Sequence, residues 1–200
     1  MTRIKLCGLS KKSDILASNE LLPDYIGFVF WKKSKRYVTF DEAGKLKSIL
    51  DPGIKAVGVF VDEDLYEIAA LLKEGIIDVA QLHGSEDDAY IKKLRHETGK
   101  PVIKAFRIRP DSDVMAINSC LADMILVDSG AGGGMVLDPA LLKGIERPYF
   151  LAGGLSPDNI SEILAGLSPY GVDVSSGIET DGIKDSEKMR LFVEAVRRVK

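Results

Sequence analysis

The sequence has few residues that could form disulfide bonds and no segment long enough to cross a membrane. Only two cysteines, Cys7 and Cys120, occur among its 200 residues, and they lie far apart. The first residues carry no apolar stretch of the kind that a signal peptide requires, so we expect a cytoplasmic protein. No apolar run approaches the roughly 20 residues that a bilayer demands. We therefore expect no membrane partner.

The sequence also lacks a strong charge of one sign and the motifs of common cofactor sites. Its formal net charge is −3, which provides no chain-wide positive field to attract nucleic acid. The two histidines, His83 and His96, and the two cysteines lack the close spacing of a zinc site. Neither a GxGxxG motif nor a lysine-containing phosphate loop is present. We expect a protein that binds a small molecule, with no metal, organic cofactor or nucleic acid.

What the sequence does have is a regular alternation of short apolar runs with segments of helical spacing. Eight runs rich in Val, Ile and Phe are present. They occupy residues 4–7, 25–30, 56–61, 79–82, 102–108, 124–127, 149–152 and 172–174. Between them apolar residues recur three or four positions apart, as at Leu65, Ile68 and Leu72. Short strands that are apolar throughout indicate a parallel sheet buried on both faces, with helices as crossovers.

Eight such units predict an α/β fold of the (β/α)₈ TIM-barrel class, formed by residues 1–200 as a single domain. A doubly wound open sheet has the same rhythm, but it usually has five or six strands and leaves the additional units unexplained. With 200 residues the barrel is small for a class that typically has about 250. Its connections must therefore be short, and the longer ones are informative.

Active sites of such barrels are built at the carboxyl ends of the strands. The candidates at those ends include a thiol, carboxylates, a histidine and paired glycines. They are Cys7, Phe28, Val29, Phe30, Phe60, His83, Arg107, Asp128, Gly153, Gly154 and residues 173–177. Two connections are longer: residues 31–39 are basic and include Arg36, and residues 129–136 contain four glycines. We expect both loops to cover the same mouth.

Cys7 and Asp128 are the candidate acid–base groups, and each has a structural alternative. A free cysteine is often a small buried hydrophobic residue, whereas a functional thiol needs a depressed pKa, which a cation such as Arg36 would provide. Asp128 follows an apolar run. It either caps the next loop with its side chain or acts as an acid that holds its proton near neutral pH. We expect His83 to be a hydrogen-bonded structural residue.

Two neighbouring strand ends carry the residues of a phosphate site. Gly153 and Gly154 let the backbone approach an anion, and a helix is expected to begin shortly after them. Ser175, Ser176 and Gly177 offer hydroxyl and backbone N–H groups at the next strand end. The loops after the seventh and eighth strands are the usual phosphate site of a barrel. We therefore expect a phosphorylated small-molecule substrate.

Seven segments together resemble one family. They are residues 5–9 (KLCGL), 27–30 (GFVF), 34–37 (SKRY), 58–61 (GVFV), 81–84 (QLHG), 152–155 (AGGL) and 172–177 (VDVSSG). In this order they are similar to motifs of the phosphoribosylanthranilate isomerases of tryptophan biosynthesis, and they span almost the whole chain. The resemblance implies an Amadori rearrangement by general acid–base catalysis. In it, N-(5-phosphoribosyl)anthranilate becomes 1-(2-carboxyphenylamino)-1-deoxyribulose 5-phosphate.

The resemblance also implies roles for individual residues. Cys7 would be the general base and Asp128 the general acid. Arg36 would bind the anthranilate carboxylate, Asp173 would contact the ribose hydroxyls or the amine, and His83 would support the site. The phosphate would be bound by Gly153, Gly154, Ser175, Ser176 and Gly177. No cofactor is implied, and either a monomer or a homodimer is compatible with the sequence.

One segment departs from the family pattern. After the acid the family usually reads GGTGKxFDW, whereas residues 132–139 read GGGMVLDP, without the threonine, the lysine and the aromatic residue. We expect a glycine loop that is mobile when the site is empty, and its role as a lid stays open.

Two other functions are weighed against this one. The aminoaldose isomerase of histidine biosynthesis resembles a two-aspartate enzyme, and Cys7 argues against it. A non-catalytic phosphate-binding barrel is disfavoured because both Cys7 and Asp128 are present.

Overall fold

A computed structural model describes residues 1–109, 114–130 and 139–199. Eight parallel strands form a closed barrel, in which each strand pairs with the next and the first pairs with the eighth. The strands are β1 (Arg3–Cys7), β2 (Tyr25–Val29), β3 (Lys55–Phe60), β4 (Val79–Leu82), β5 (Val102–Arg107), β6 (Met124–Asp128), β7 (Tyr149–Ala152) and β8 (Gly171–Val174). The closed barrel confirms the predicted fold, and the open-sheet alternative is wrong.

Helices connect most of the strands. They are α1 (Lys12–Leu21), α2 (Phe40–Lys47), α3 (Leu65–Lys73), α4 (Asp88–Thr98), α5 (Val114–Ser119), α6 (Ile160–Gly166) and α7 (Ser186–Arg198). A 3₁₀ helix (Pro139–Leu142) lies between β6 and β7. A second one (Ser176–Ile178) follows β8 and leads to a hairpin of β9 (Glu179–Thr180) and β10 (Ile183–Lys184). Among the described residues, no helix is long and apolar enough to span a bilayer.

Several helices begin where the sequence offers a capping side chain. Thr39 precedes α2, and its hydroxyl oxygen accepts a hydrogen bond from the backbone N–H of Glu42, whose carboxylate accepts from the N–H of Thr39. Asp64 and Asp185 accept backbone N–H groups in the same way at the starts of α3 and α7. Each cap satisfies otherwise unpaired backbone donors and typically contributes about 1 kcal/mol.

The barrel wall divides the apolar core into two layers. The inner layer fills the barrel with Tyr25, Val57, Val79, Ile103, Ala105, Leu126, Phe150 and Ala152. The outer layer lies between strands and helices and contains Phe28, Phe30 and Phe60. The expectation that these three phenylalanines belong to the mouth is wrong. Side chains alternate across a strand, so the neighbouring Val29 and Val59 face the interior instead.

Polar residues take several inward positions toward the carboxyl ends of the strands. Lys5 and Cys7 lie on β1, Gln81 on β4, Asp128 on β6 and Asp173 on β8. Lys5, Gln81 and Asp173 are buried. Because buried polar groups cost free energy unless they have partners, this end of the barrel is where a functional site is expected.

Candidate active site

A cavity of about 730 Å³ opens at the carboxyl ends of the strands. All the predicted site residues except Gly177 line it. They are Cys7, Arg36, His83, Asp128, Gly153, Gly154, Asp173, Ser175 and Ser176. The strand ends of a closed sheet form one ring, and this brings residues from distant parts of the chain to a single cavity.

Gly177 has a packing role that the sequence did not reveal. A Cβ atom at this position would overlap the carbonyl oxygen of Leu155. The loop after β8 therefore approaches the loop after β7 closely only because residue 177 has no side chain. Gly177 supports the predicted phosphate loops without facing the cavity.

Cys7 is the last residue of β1 and its side chain is almost fully buried. Its neighbour on β2 is Gly27, where a Cβ would lie 2.7 Å from the sulfur atom, so the glycine makes room for the thiol. Burial raises the pKa of Cys7 above its usual value, although the ammonium groups of Lys5 and Lys184 oppose this. The unliganded thiol thus lacks the depressed pKa that a catalytic role requires, because burial outweighs the cations.

Lys5 is a site residue that the sequence analysis missed. It has no exposed surface, and its ammonium nitrogen lies 2.8 Å from Oδ1 of Asp173. Burial opposes the charge of Lys5, but Asp173 and Cys7 raise its pKa above the usual value, so Lys5 stays cationic. The available signal was a lysine within an apolar run, two positions before Cys7 and therefore on the same face of the strand.

Asp128 ends β6, and both of its predicted uses are compatible with its position. Its Oδ1 accepts the backbone N–H of Gly130 at 2.8 Å, which is the expected loop cap, and the same carboxylate lines the cavity. Its Oδ2 lies 3.6 Å from Nε2 of His83. The close approach of His83 lowers the pKa of Asp128, as do the Gly130 N–H and Arg107. The expectation that Asp128 holds its proton near neutral pH is therefore wrong for the unliganded carboxylate.

Arg36 is already engaged by a second residue that the sequence analysis missed, Glu179. The guanidinium donates from Nε and Nη2 to the two carboxylate oxygens, at 2.6 and 2.8 Å. Lys184 donates to the same carboxylate at 2.6 Å and to the backbone oxygen of Ser175 at 2.8 Å. Two of the five guanidinium N–H groups, on Nε and Nη2, are thus used by Glu179, which leaves three on Nη1 and Nη2 for other acceptors. The hairpin of β9 and β10 therefore supports Arg36.

Gly8, directly after Cys7, lets the arginine reach this position. Its φ is +78°, and a Cβ would overlap Cδ of Arg36. A side chain at residue 8 would therefore be strained and would displace the guanidinium.

The predicted phosphate loops meet at one side of the cavity because β7 and β8 are paired. Gly153 has a φ of +91°, and a Cβ there would overlap the Ser129 hydroxyl. The Ser156 N–H donates to the Asn159 carboxamide oxygen, and the carboxamide nitrogen donates to the Gly154 carbonyl, each at 2.8 Å. These bonds fix the turn that leads into α6. The Ser175 hydroxyl donates to the carbonyl of Cys7 at 3.1 Å, which connects the phosphate loop to β1.

A family model for N-(5'-phosphoribosyl)anthranilate (PRA) isomerase matches residues 4–195. The chain belongs to the PRA isomerase family. This membership confirms the resemblance that the seven sequence segments indicated.

Individual relatives agree with the family. The chain is 42% identical, over 202 residues, to N-(5'-phosphoribosyl)anthranilate isomerase of Endomicrobium trichonymphae, with 98% of this chain and 99% of that protein covered. It is also 42% identical to the enzyme of the same name from Thermoanaerobacter sp. strain X514, with both chains fully covered. Among solved structures, the phosphoribosyl anthranilate isomerase of Thermus thermophilus has a TM-score of 0.89 at 32% identity, with both chains fully covered.

A further solved PRA isomerase is described as a complex with reduced 1-(o-carboxyphenylamino)-1-deoxyribulose 5-phosphate. It has a TM-score of 0.87 and 32% identity, with 98% of this chain and 99% of that chain covered.

Within this PRA isomerase barrel, some predicted features lie outside the described residues. They include Gly132, Gly133 and Gly134 of the glycine loop and the segment 135–138 that departs from the family pattern. In the described part of the chain, no group of three or more His, Cys, Asp or Glu side chains is placed to hold a metal ion.

Proposed function

We propose that this chain catalyses the Amadori rearrangement of N-(5-phosphoribosyl)anthranilate to 1-(2-carboxyphenylamino)-1-deoxyribulose 5-phosphate in tryptophan biosynthesis. In reaction class this is an intramolecular oxidoreduction, the isomerisation of an aldose to a ketose. The observation that carries the proposal is the single cavity shared by Cys7, Asp128 and the loops after β7 and β8, in a chain that matches the PRA isomerase family over residues 4–195.

The first chemical step is a proton transfer from Asp128. The carboxylic acid donates its proton to the furanose ring oxygen, the bond from that oxygen to C1′ breaks, and the amine lone pair forms a C1′=N Schiff base. The carboxyl group must therefore take up a proton beforehand. A bound substrate removes water from the carboxylate, and this desolvation favours the protonated form.

The second step is a proton transfer to Cys7. The thiolate removes the proton from C2′, and the electron pair of that bond moves to C1′ as the imine bond shifts onto nitrogen. The resulting enolamine tautomerises to the ketone. A thiolate is needed for this step, and the ammonium groups of Lys5 and Lys184 favour it. Both steps are proton transfers, each of which typically contributes about 10²- to 10⁴-fold, and neither needs a metal or a redox group.

Substrate binding is divided among three parts of the cavity. We assign the anthranilate carboxylate to the N–H groups of Arg36 that Glu179 does not use, because a guanidinium suits a planar carboxylate. We assign the phosphate to the backbone and hydroxyl donors of Gly153, Gly154, Ser175 and Ser176, with Gly177 as packing support. Asp173, held by Lys5 at 2.8 Å, is directed to the ribose hydroxyls or the amine. His83 supports Asp128.

A fluorescence assay tests the proposal. The purified protein, given freshly prepared phosphoribosylanthranilate without added metal or nucleotide, should abolish the anthranilate fluorescence of this substrate. Cys7→Ser and Asp128→Asn should each lower kcat by at least about 10²-fold while the barrel stays folded. Cys120→Ser is the matched control: this cysteine is partly exposed and does not line the cavity, so its variant should retain full activity.

The outcomes separate the alternatives. No turnover together with tight binding of the reduced product analogue would favour a non-catalytic binding barrel. Full activity of Cys7→Ser or Asp128→Asn would contradict the role proposed for that residue.

We propose further that residues 1–200 form one domain that works in the cytoplasm as a monomer or a homodimer, with no nucleic-acid partner. Light scattering of the purified protein measures its mass in solution, and an assembly larger than a dimer would contradict the proposed oligomeric state.

A further inference from the structure

Gln81 is a buried polar residue that no step of the proposed mechanism uses. It lies on β4, has 2% of its surface exposed and lines the cavity. Its strand neighbours Ala80 and Leu82 belong to the outer apolar layer, so Gln81 shares the inward face with Val79. A carboxamide in a barrel interior costs free energy unless its oxygen and its nitrogen both have partners.

The two ends of this carboxamide have different surroundings. Nε2 of Gln81 lies 3.4 Å from Nδ1 of His83. Oε1 has no hydrogen-bond partner. Among the described residues, it is the only buried side-chain nitrogen or oxygen atom without one. Because buried acceptors are almost always paired, an unpaired acceptor beside a ligand cavity indicates a donor on the ligand.

The orientation of the carboxamide follows from His83. Nε2 of His83 faces Oδ2 of Asp128 at 3.6 Å, and this contact is attractive when Nε2 carries a proton. A neutral His83 then has a bare Nδ1, which can only accept and therefore takes the N–H end of Gln81. Rotation of the carboxamide would place its oxygen against that lone pair. The contact that leaves Oε1 free also keeps the His83 proton directed toward Asp128.

We propose that Gln81 is a substrate-binding residue whose Oε1 accepts a hydrogen bond from a ribose hydroxyl, while its Nε2 positions His83. The inference rests on the proposed function, which supplies hydroxyl groups beside the reacting carbons. A carboxylate or a phosphate dianion has no proton to donate to Oε1. The amine is bonded to the anthranilate ring, whose carboxylate is assigned to Arg36. Arg36 contacts Gly8, after β1, and Glu179, after β8, and β8 lies opposite β4 in the barrel.

The oxygen is tested by Gln81→Leu, which keeps the size of the side chain and removes both polar groups. Calorimetric titration with reduced 1-(o-carboxyphenylamino)-1-deoxyribulose 5-phosphate should give a Kd about tenfold higher than that of the wild type, as expected for one lost hydrogen bond. KM should rise by a similar factor. Val79→Ala is the matched control, because Val79 faces inward on the same strand and does not line the cavity. It should bind the analogue normally, and wild-type affinity in Gln81→Leu would overturn the assignment of Oε1.

The nitrogen is tested by Gln81→Glu, which retains an acceptor for the substrate but presents an acceptor to His83 as well. Nδ1 must then carry a proton. ¹⁵N NMR of histidine-labelled protein should show the Nε2–H tautomer in the wild type and a protonated Nδ1 in the variant. Analogue affinity should stay within about threefold, because Oε1 is kept. The chain has only two histidines, so His96→Gln identifies the His83 signals.

An unchanged His83 spectrum in Gln81→Glu would overturn the positioning role. The calorimetric and NMR readouts need no turnover, so absence of isomerase activity in the wild type would contradict the proposed function without bearing on them.

Discussion

Lys5 places a positive charge inside the barrel, on the same face of β1 as Cys7. Its 2.8 Å contact with Asp173 joins the first strand to the eighth and holds the carboxylate that we assign to the substrate. A buried pair of this kind adds little net stability, but removal of one partner leaves the other charge uncompensated. Lys5 therefore influences both the ionisation of Cys7, the proposed base, and the position of Asp173, which is assigned to substrate binding.

We predict that Lys5→Met raises the pKa of the Cys7 thiol, because the variant loses a cation that favours the thiolate. The rate of alkylation by iodoacetamide at pH 7 should fall several-fold, and the pH profile of kcat should move to higher pH. The free energy of unfolding should fall by about 3–5 kcal/mol, since Asp173 loses its partner. Lys73→Met, at an exposed lysine outside the cavity, serves as the control. Identical alkylation profiles for wild-type protein and folded Lys5→Met would disprove the influence of Lys5 on the thiol.

We predict that Glu179→Gln impairs binding more than chemistry. The carboxylate holds Arg36 through two hydrogen bonds, so its loss leaves the guanidinium mobile and raises the entropic cost of binding the anthranilate carboxylate. KM should rise about fivefold, the size of a typical hydrogen bond to a ligand, with kcat nearly unchanged. Steady-state kinetics measure both constants. A lower KM would mean instead that Glu179 competes with the substrate for Arg36.

Asp128 should make the stability of the protein depend on pH. Its pKa is lowered in the folded state, first by His83, so the folded protein binds this proton less readily than the unfolded chain. The resulting stabilisation is complete above the ordinary carboxyl pKa of about 3.9 and is lost as the pH falls through the lower native value. Asp128→Asn should cost about 1 kcal/mol at pH 7 and less at pH 2. Urea unfolding at the two pH values measures the difference, and an equal effect at both would exclude this linkage.

At the level of elements, the connections after β7 and β8 form one unit. Gly177 lets them approach each other, and the Ser175 hydroxyl connects this unit to the backbone of Cys7. The hairpin of β9 and β10 extends it to Arg36 through Glu179 and Lys184. A substitution that disturbs this packing should therefore weaken substrate binding as well as lower the stability of the protein.

We predict that Gly177→Ala separates the two phosphate loops, because the new methyl group would overlap the Leu155 carbonyl. Inhibition by inorganic phosphate should weaken about tenfold, and the free energy of unfolding should fall by about 1–3 kcal/mol. Gly166→Ala is the matched control: this glycine lies in α6 with open space around it, and the change should stabilise the helix by about 0.5–1 kcal/mol. Unchanged phosphate inhibition in Gly177→Ala would contradict the assigned loop packing.

At the level of the whole molecule, closure of the barrel creates the site. Lys5 and Asp173 are 168 positions apart in the chain, and Arg36 and Glu179 are 143 apart. Both pairs exist because β1 lies between β2 and β8. Inside the barrel, an apolar inner layer forms the floor beneath the polar mouth, and this limits water around the buried Lys5 and Asp173.

The sequence by itself determined the fold, the family and most of the residues that line the cavity. The strand and helix periodicities are local, and they are repeated eight times. The residues at the strand ends follow from them, so Cys7, His83 and Asp128 were expected at one mouth together with four loop residues, Gly153, Gly154, Ser175 and Ser176, and the structure places all of them there.

Only the tertiary structure decided which groups are paired and therefore how they are charged. Glu179 meets Arg36, Lys5 meets Asp173, and Gln81 meets His83. For this reason the sequence did not reveal the direction of the Cys7 pKa shift, and the expectation of a raised pKa for Asp128 was wrong. A pKa depends on burial and on neighbours within a few ångströms, and those neighbours come from strands that the linear sequence does not connect.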